Sequence, residues 1–293
     1  MIVERHNAQT NDIIATSNNE VTSGFLPPIL SILLYLLIGS VAGLFAGLFG
    51  VGGGVVIVPV LIFIFRDQGF SEQILTHMAV GTSLATIIIT SLSSVYQHHR
   101  SGAVQWRLFA LLAVGICVGV LFGAKAVQLM SGPILQLAFG AFLVLIAMQM
   151  AFGLKPKGSE SALGKPLLLS SGGVIGFFSA MFGIGGGSLT VPFLSWRGID
   201  MQKAVATSAA CGLPIAIVGA GANIINGWGH PALPDDSSGF VYWPAFFGIV
   251  ITSTIMANWS AKLAHRVPQQ LLKRLFGVLL LLVGLQFLIR NSL

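Results

Sequence analysis

The sequence predicts an all-α polytopic membrane protein made of two inverted repeats, each a glycine-turn helical hairpin followed by three transmembrane helices. Three observations predict it. Hydrophobic residues fill 55% of the 293 positions and charged residues only 8%, against about 25% charged in a typical soluble domain. Apolar runs at 29–49, 108–124, 134–152 and 275–289 approach or reach the ~20 residues that cross a bilayer. Finally, one short stretch occurs twice. Phe49-Gly50-Val51-Gly52-Gly53-Gly54 leads to Pro59, and Phe182-Gly183-Ile184-Gly185-Gly186-Gly187 leads to Pro192.

Residues 1–28 are polar and end at Pro27-Pro28. They lack the basic start and short apolar core of a signal peptide, and read as a mobile tail. The first repeat, 29–152, holds segment A (29–49), the glycine turn, B (54–65), C (76–96), D (106–124) and E (133–152). Ser71 is the candidate cap before C. A linker at 153–166, rich in Lys, Gly, Ser and Pro, divides the chain. The second repeat, 167–293, holds A′ (167–182), B′ (188–196), C′ (204–225), capped by Asp200, then D′ (241–261) and E′ (271–289). Proline cannot donate to the carbonyl four residues back, so each stretch reads as a helix that stops, a tight turn, and a helix that restarts.

The halves match beyond the glycines. Ala79-Val80-Gly81-Thr82-Ser83 corresponds to Ala204-Val205-Ala206-Thr207-Ser208, and Val104-Gln105-Trp106 to Val241-Tyr242-Trp243. Internal repetition of this kind is common among transporters. Basic residues give the orientation. If A and B form a hairpin, eleven of the 15 Lys and Arg fall on one face and four on the other. If A and B cross together once, the split is seven to eight. The positive-inside rule selects the hairpin. The halves are then inverted, both termini face outside, and the linker is cytoplasmic. At 1.5 Å per residue B reaches about 18 Å and B′ about 14 Å, short of a core of about 30 Å, so each hairpin turns near mid-membrane. Trp106, Trp196, Trp243, Tyr96 and Tyr242 fall at segment ends, as interfacial anchors do.

Irregular backbone at membrane depth belongs inside protein or beside a cavity. The starts of B and B′ offer unpaired N–H groups and the positive end of a helix dipole, which favour an anion. The candidate binding residues are therefore Gly52, Gly53, Gly54, Gly185, Gly186 and Gly187, with Ser188 beside them. Thr82, Ser83, Thr207 and Ser208, early in C and C′, add hydroxyls. Thr190 is a further hydroxyl found in the second copy only. The competing account of the glycines is close helix packing, and that of the hydroxyls is bonding between helices.

The motif F-G-x-G-G-G-x-x-x-x-P in two copies, at Phe49–Pro59 and Phe182–Pro192, resembles the sulfite exporter TauE/SafE family of membrane permeases, over almost the whole chain after residue 28. The resemblance implies a secondary transporter in the bacterial inner membrane that moves sulfite, thiosulfate or an organosulfonate. A passive anion channel is the alternative. Neither direction of transport, coupling ion nor oligomeric state is readable from the sequence.

Other classes find little support. All nine acidic residues lie in the tail, loops or linker, so no intramembrane carboxylate serves as a proton relay. His77 is the one ionisable group at the start of a span that can couple transport to protons. Neither glycine run carries the Lys-Ser/Thr of a P-loop. No cluster of catalytic or metal-binding type is visible within the spans, so no enzyme, cofactor or metal is expected. The net charge of +6 is scattered, without the aromatic interleaving of a nucleic-acid surface. Cys117 and Cys211 sit singly in apolar segments, as small buried residues.

Overall fold

A computed structural model describes residues 28–49, 53–152, 164–263 and 269–292. All ten expected segments are helices. A to E become α1 (Pro28–Phe49), α2 (Gly54–Asp67), α3 (Leu75–Arg100), α4 (Trp106–Leu129) and α5 (Gly132–Phe152). A′ to E′ become α6 (Lys165–Phe182), α7 (Gly187–Trp196), α8 (Met201–Gly227), α9 (Trp243–Leu263) and α10 (Gln269–Ser292). Six of them, α1, α3, α4, α5, α6 and α8, contain stretches long and apolar enough to span a bilayer. The chain is thus a multi-pass helical membrane protein. The polar tail and most of the linker lie outside the described residues, as does Gly52.

The repeats interlock. α1 lies along α9 of the other repeat, and α4 lies along α6. Both seams run parallel and are lined by glycine every four residues. A β-carbon on Gly39, Gly43 or Gly47 would strike α9 at Ile249, Ser253 and Ala257 in turn. One on Gly115, Gly119 or Gly123 would strike α6 at Leu169, Gly173 and Phe177. In lipid, where no hydrophobic force draws helices together, small residues allow this backbone-to-backbone approach. The sequence carries these seams as four-residue glycine spacings, but not the address of their partners.

At the centre, α3 packs on α8 in opposite directions. Asn223 faces Gly81, Gly219 faces Leu84, and Gly212 faces Ser91. The pair α5 and α10 also runs antiparallel, with Gly140 against Phe287 and Gly284 against Val144.

Two helix caps differ from expectation. The α3 N-cap position is Ile74, and Ser71 contributes mainly its carbonyl, which accepts from the N–H groups of Ile74 and Leu75. Asp200 does precede α8, but its carboxylate makes no cap bond and lies 3.3 Å from Lys203 Nζ. A two-residue antiparallel ladder, β1 (Ser237–Ser238) with β2 (Val241–Tyr242), precedes α9 where a helix start was expected. It draws Tyr242 inward, edge-on to Phe65 and Phe70 at 5.6 and 5.3 Å, so Tyr242 serves as a packing residue. Trp243 Nε1 donates to Ser238 Oγ at 3.0 Å. Trp106, Trp196 and Tyr96 keep exposed rings at helix ends.

Candidate functional site

The two glycine turns meet. A β-carbon on Gly54, the first residue of α2, would collide with the Gly183 carbonyl and come within 2.9 Å of Ile184 Cα. Gly183 in turn fits against Val80 of α3, and its carbonyl accepts from Ser83 Oγ at 2.7 Å. Gly186 lies against Cys211 and Ile215 of α8. Ile87 in the middle of α3 and Cys211 and Ile215 in the middle of α8 border the two turns, with Val80 and Ser83 nearer the start of α3, so the junction sits at mid-span.

Among the described residues, each turn holds one left-handed glycine. In the second, Gly183 (φ 64°) ends α6, and the N–H groups of Gly183 and Ile184 both return to the Ser179 carbonyl. In the first, Gly53 (φ 73°) stands immediately before α2. Its counterpart Gly186 has φ −54°, an ordinary helical value, so a side chain there is not strained in its backbone. Gly53 and Gly186 share one role. The Gly53 carbonyl accepts from Val56 and Ile57, and the Gly186 carbonyl from Leu189 and Thr190. The N–H groups of Gly53, Gly54 and Val55, and of Gly185, Gly186, Gly187 and Ser188, donate to no backbone acceptor among the described residues.

The four hydroxyls from α3 and α8 divide in two. Thr82 Oγ1 accepts the Tyr242 N–H at 3.0 Å, and Thr207 Oγ1 accepts the Gln105 N–H at 3.0 Å. Each threonine thereby satisfies an N–H at the entry to α9 or α4, and both act on the opposite repeat. Ser83 is tied to Gly183. Ser208 is fully buried, and its hydroxyl has no hydrogen-bond partner.

Three more buried hydroxyls share that condition: Ser179, Ser188 and Thr190. All belong to the second turn or its flanking helix ends. Thr190 Oγ1 lies 3.3 Å from where a Gly186 β-carbon would be. An unpartnered buried hydroxyl costs roughly 1–3 kcal/mol, so three at one turn mark a place fitted for something besides protein. Thr190 is the hydroxyl already noted in the second copy, whereas Ser179 was missed as a site residue because a hydroxyl in an apolar helix also bonds its own backbone, and only coordinates show that this one does not.

His77 is buried, with Nε2 3.1 Å from the Val127 carbonyl and its ring 5.3 Å from Phe240. Nε2 donates to that carbonyl, and Nδ1 has no partner. It stands one and a half helical turns from Ser83, about 9 Å along α3, outside the glycine junction. Near the same end, Arg66 binds Glu72 through Nε at 2.5 Å and reaches Gln136 Oε1 at 3.3 Å, and Gln136 donates to Thr76. The guanidinium holds the Glu72 carboxyl below the usual carboxylate range. Among the described residues, the buried polar side chains are otherwise all neutral amides and hydroxyls, and no three His, Cys, Asp or Glu gather to hold a metal.

The sequence matches known proteins over most of its length. A probable membrane transporter protein of Haemophilus influenzae is 36% identical over 260 residues, covering 88% of this chain and 98% of that one. One from Methanocaldococcus jannaschii is 31% identical over 248 residues, covering 81% and 86%. The Bacillus subtilis probable membrane transporter protein YunE is 27% identical over 279 residues, covering 88% and 98%. The family model described as sulfite exporter TauE/SafE matches residues 35–287. With two glycine hairpins meeting inside a ten-helix bundle, the chain belongs to the sulfite exporter TauE/SafE family of membrane transporters.

Proposed function

We propose that the chain is a secondary transporter that carries a small sulfur-containing anion, such as sulfite, thiosulfate or an organosulfonate, across the bacterial inner membrane. The observation that carries this reading is the junction itself: two half-length helices begin beside each other at mid-span, each with open N–H groups and the positive end of its dipole. The family name supplies the sulfur chemistry. Burial of Thr82, Ser83, Ser188, Thr190 and Ser208 favours a carrier with an occluded site over an open anion pore.

The inverted arrangement belongs to the same proposal. Antiparallel packing of the corresponding helices α3 and α8, and of α5 and α10, supports repeats that face opposite sides of the membrane. Both termini are then outside and the linker is cytoplasmic. Single cysteines at Ser17 and Ser159, labelled on whole cells with an impermeant thiol reagent, report this directly. Labelling at Ser159 and not at Ser17 sinks it.

Transport is tested by counterflow of labelled sulfite, thiosulfate and methanesulfonate in proteoliposomes, with chloride as the comparison. Absence of protein-dependent flux for every sulfur anion refutes the substrate assignment. His77 is the proposed coupling group. His77→Gln leaves downhill flux intact and abolishes accumulation driven by a pH gradient; survival of that accumulation excludes it.

A further inference from the structure

The two turns meet different neighbours. Over the first, Ile87 Cδ1 reaches 3.0 Å from the β-carbon position of Gly54. By the correspondence Ala79–Ser83 with Ala204–Ser208, the residue matching Ile87 is Gly212. A β-carbon there would fall 4.0 Å from the Gly186 nitrogen and 2.7 Å from Ser91 Oγ, which crosses from the other repeat. So one turn is plugged by an aliphatic side chain. The other is also covered, by Ile215, whose Cδ1 lies 3.1 Å from the Gly186 β-carbon position, but with the hydroxyls of Thr190 and Ser91 beside it.

The residues on the turns differ in the same sense. Val55 and Ile57 follow the first turn where Ser188 and Thr190 follow the second. Both of those hydroxyls are buried and unpartnered, as is Ser208 on the neighbouring helix. Thr190 points at Gly186, the residue that caps α7. Hydroxyls from two helices, Ser91 of α3 and Thr190 of α7, lie beside the Gly186 N–H, with no carboxylate among the buried side chains described.

We propose that the anion is held at the second glycine turn, by the Gly186 N–H with Thr190, Ser188 and Ser91, and not at the start of α2, where Val55 and Ile57 stand in the matching places. Spaced donors from separate helices suit a head with several acceptor oxygens, such as a sulfonate, better than a spherical halide. Hydroxyls and N–H groups are neutral donors, and their bonds to a charged oxygen are stronger than those between neutral groups. This inference rests on the anion-transport reading and gives it an address.

The test compares mirror-image substitutions. Thr190→Val keeps the shape and removes the hydroxyl; Ile57→Val makes a small apolar change at the matching place. Thermal stabilisation of the purified protein by methanesulfonate, sulfite and chloride is titrated alongside counterflow. Thr190→Val is expected to weaken half-saturation by methanesulfonate and sulfite about tenfold or more, with Ile57→Val within about twofold of the native protein. Chloride stabilises least. Equal losses in both variants, or none in Thr190→Val, overturn the second-turn site while leaving anion transport standing. If no anion stabilises or crosses with the native protein, the transport reading falls and the site falls with it. Should Thr190→Val fold poorly without ligand, Ser188→Ala carries the same comparison.

Discussion

Val55 and Ile57 stand where Ser188 and Thr190 stand, Ile87 where Gly212 stands, and Gly53 takes the left-handed conformation that Gly186 does not. Duplication gave both halves the same broken helix, because the half-length element needs a glycine turn and a proline in either copy. The side chains then diverged. One turn is followed by Val55 and Ile57, and the other keeps the unpartnered hydroxyls of Ser188 and Thr190 at a cost that a ligand or water offsets. Symmetry of backbone and asymmetry of chemistry therefore carry different information: the first describes how the bundle is built, the second where we propose that the anion binds.

The largest effect expected separates Gly183 from Gly186. Gly183→Val places a branched side chain at φ 64°, with its β-carbon 2.9 Å from Val80 Cα; left-handed backbone alone costs roughly 1–2 kcal/mol, and the backbone collision adds to it. We expect little monodisperse protein by size-exclusion chromatography. Gly186→Ala, at helical φ with side-chain neighbours no closer than 3.1 Å, folds and inserts while transport falls. Similar yields and similar flux for the two would break the distinction.

Placing at Gly212 the side chain that Ile87 carries in the matching place is the next test. Gly212→Ile, which displaces Ser91 and covers the Gly186 nitrogen, is expected to abolish stabilisation by sulfite. Native sulfite affinity in that variant would show Ser91 and the Gly186 nitrogen to be irrelevant.

Thr82 and Thr207 test the symmetric part. Each satisfies a backbone N–H on the opposite repeat, so Thr82→Val and Thr207→Val should lower stability by similar amounts, about 1–3 kcal/mol. Thermal unfolding measures both, and a large loss for one with none for the other would contradict the matched capping. The smallest effect is at the adjacent serines. Ser83→Ala removes the bond to the Gly183 carbonyl and costs about 1 kcal/mol; Ser208→Ala removes no bond and leaves ligand-free stability nearly unchanged. Equal destabilisation would mean that Ser208 is bonded as Ser83 is.

Hydropathy and length, read along the chain, determine the ten helices, their duplication and the two breaks. In lipid every backbone group must be satisfied within its own segment, so a helix end is a local property that glycine and proline spell out. Which turn is the proposed site was only half legible. Ser188 and Thr190 are visible as hydroxyls, yet Thr82 and Thr207 are equally visible and cap backbone instead. The interlocking of α1 with α9 and α4 with α6, the inward turn of Tyr242, and the contact of Gly212 with Ser91 were decided by tertiary structure. Each depends on which surfaces touch, and a glycine seam or a hydroxyl shows that something approaches closely without showing what.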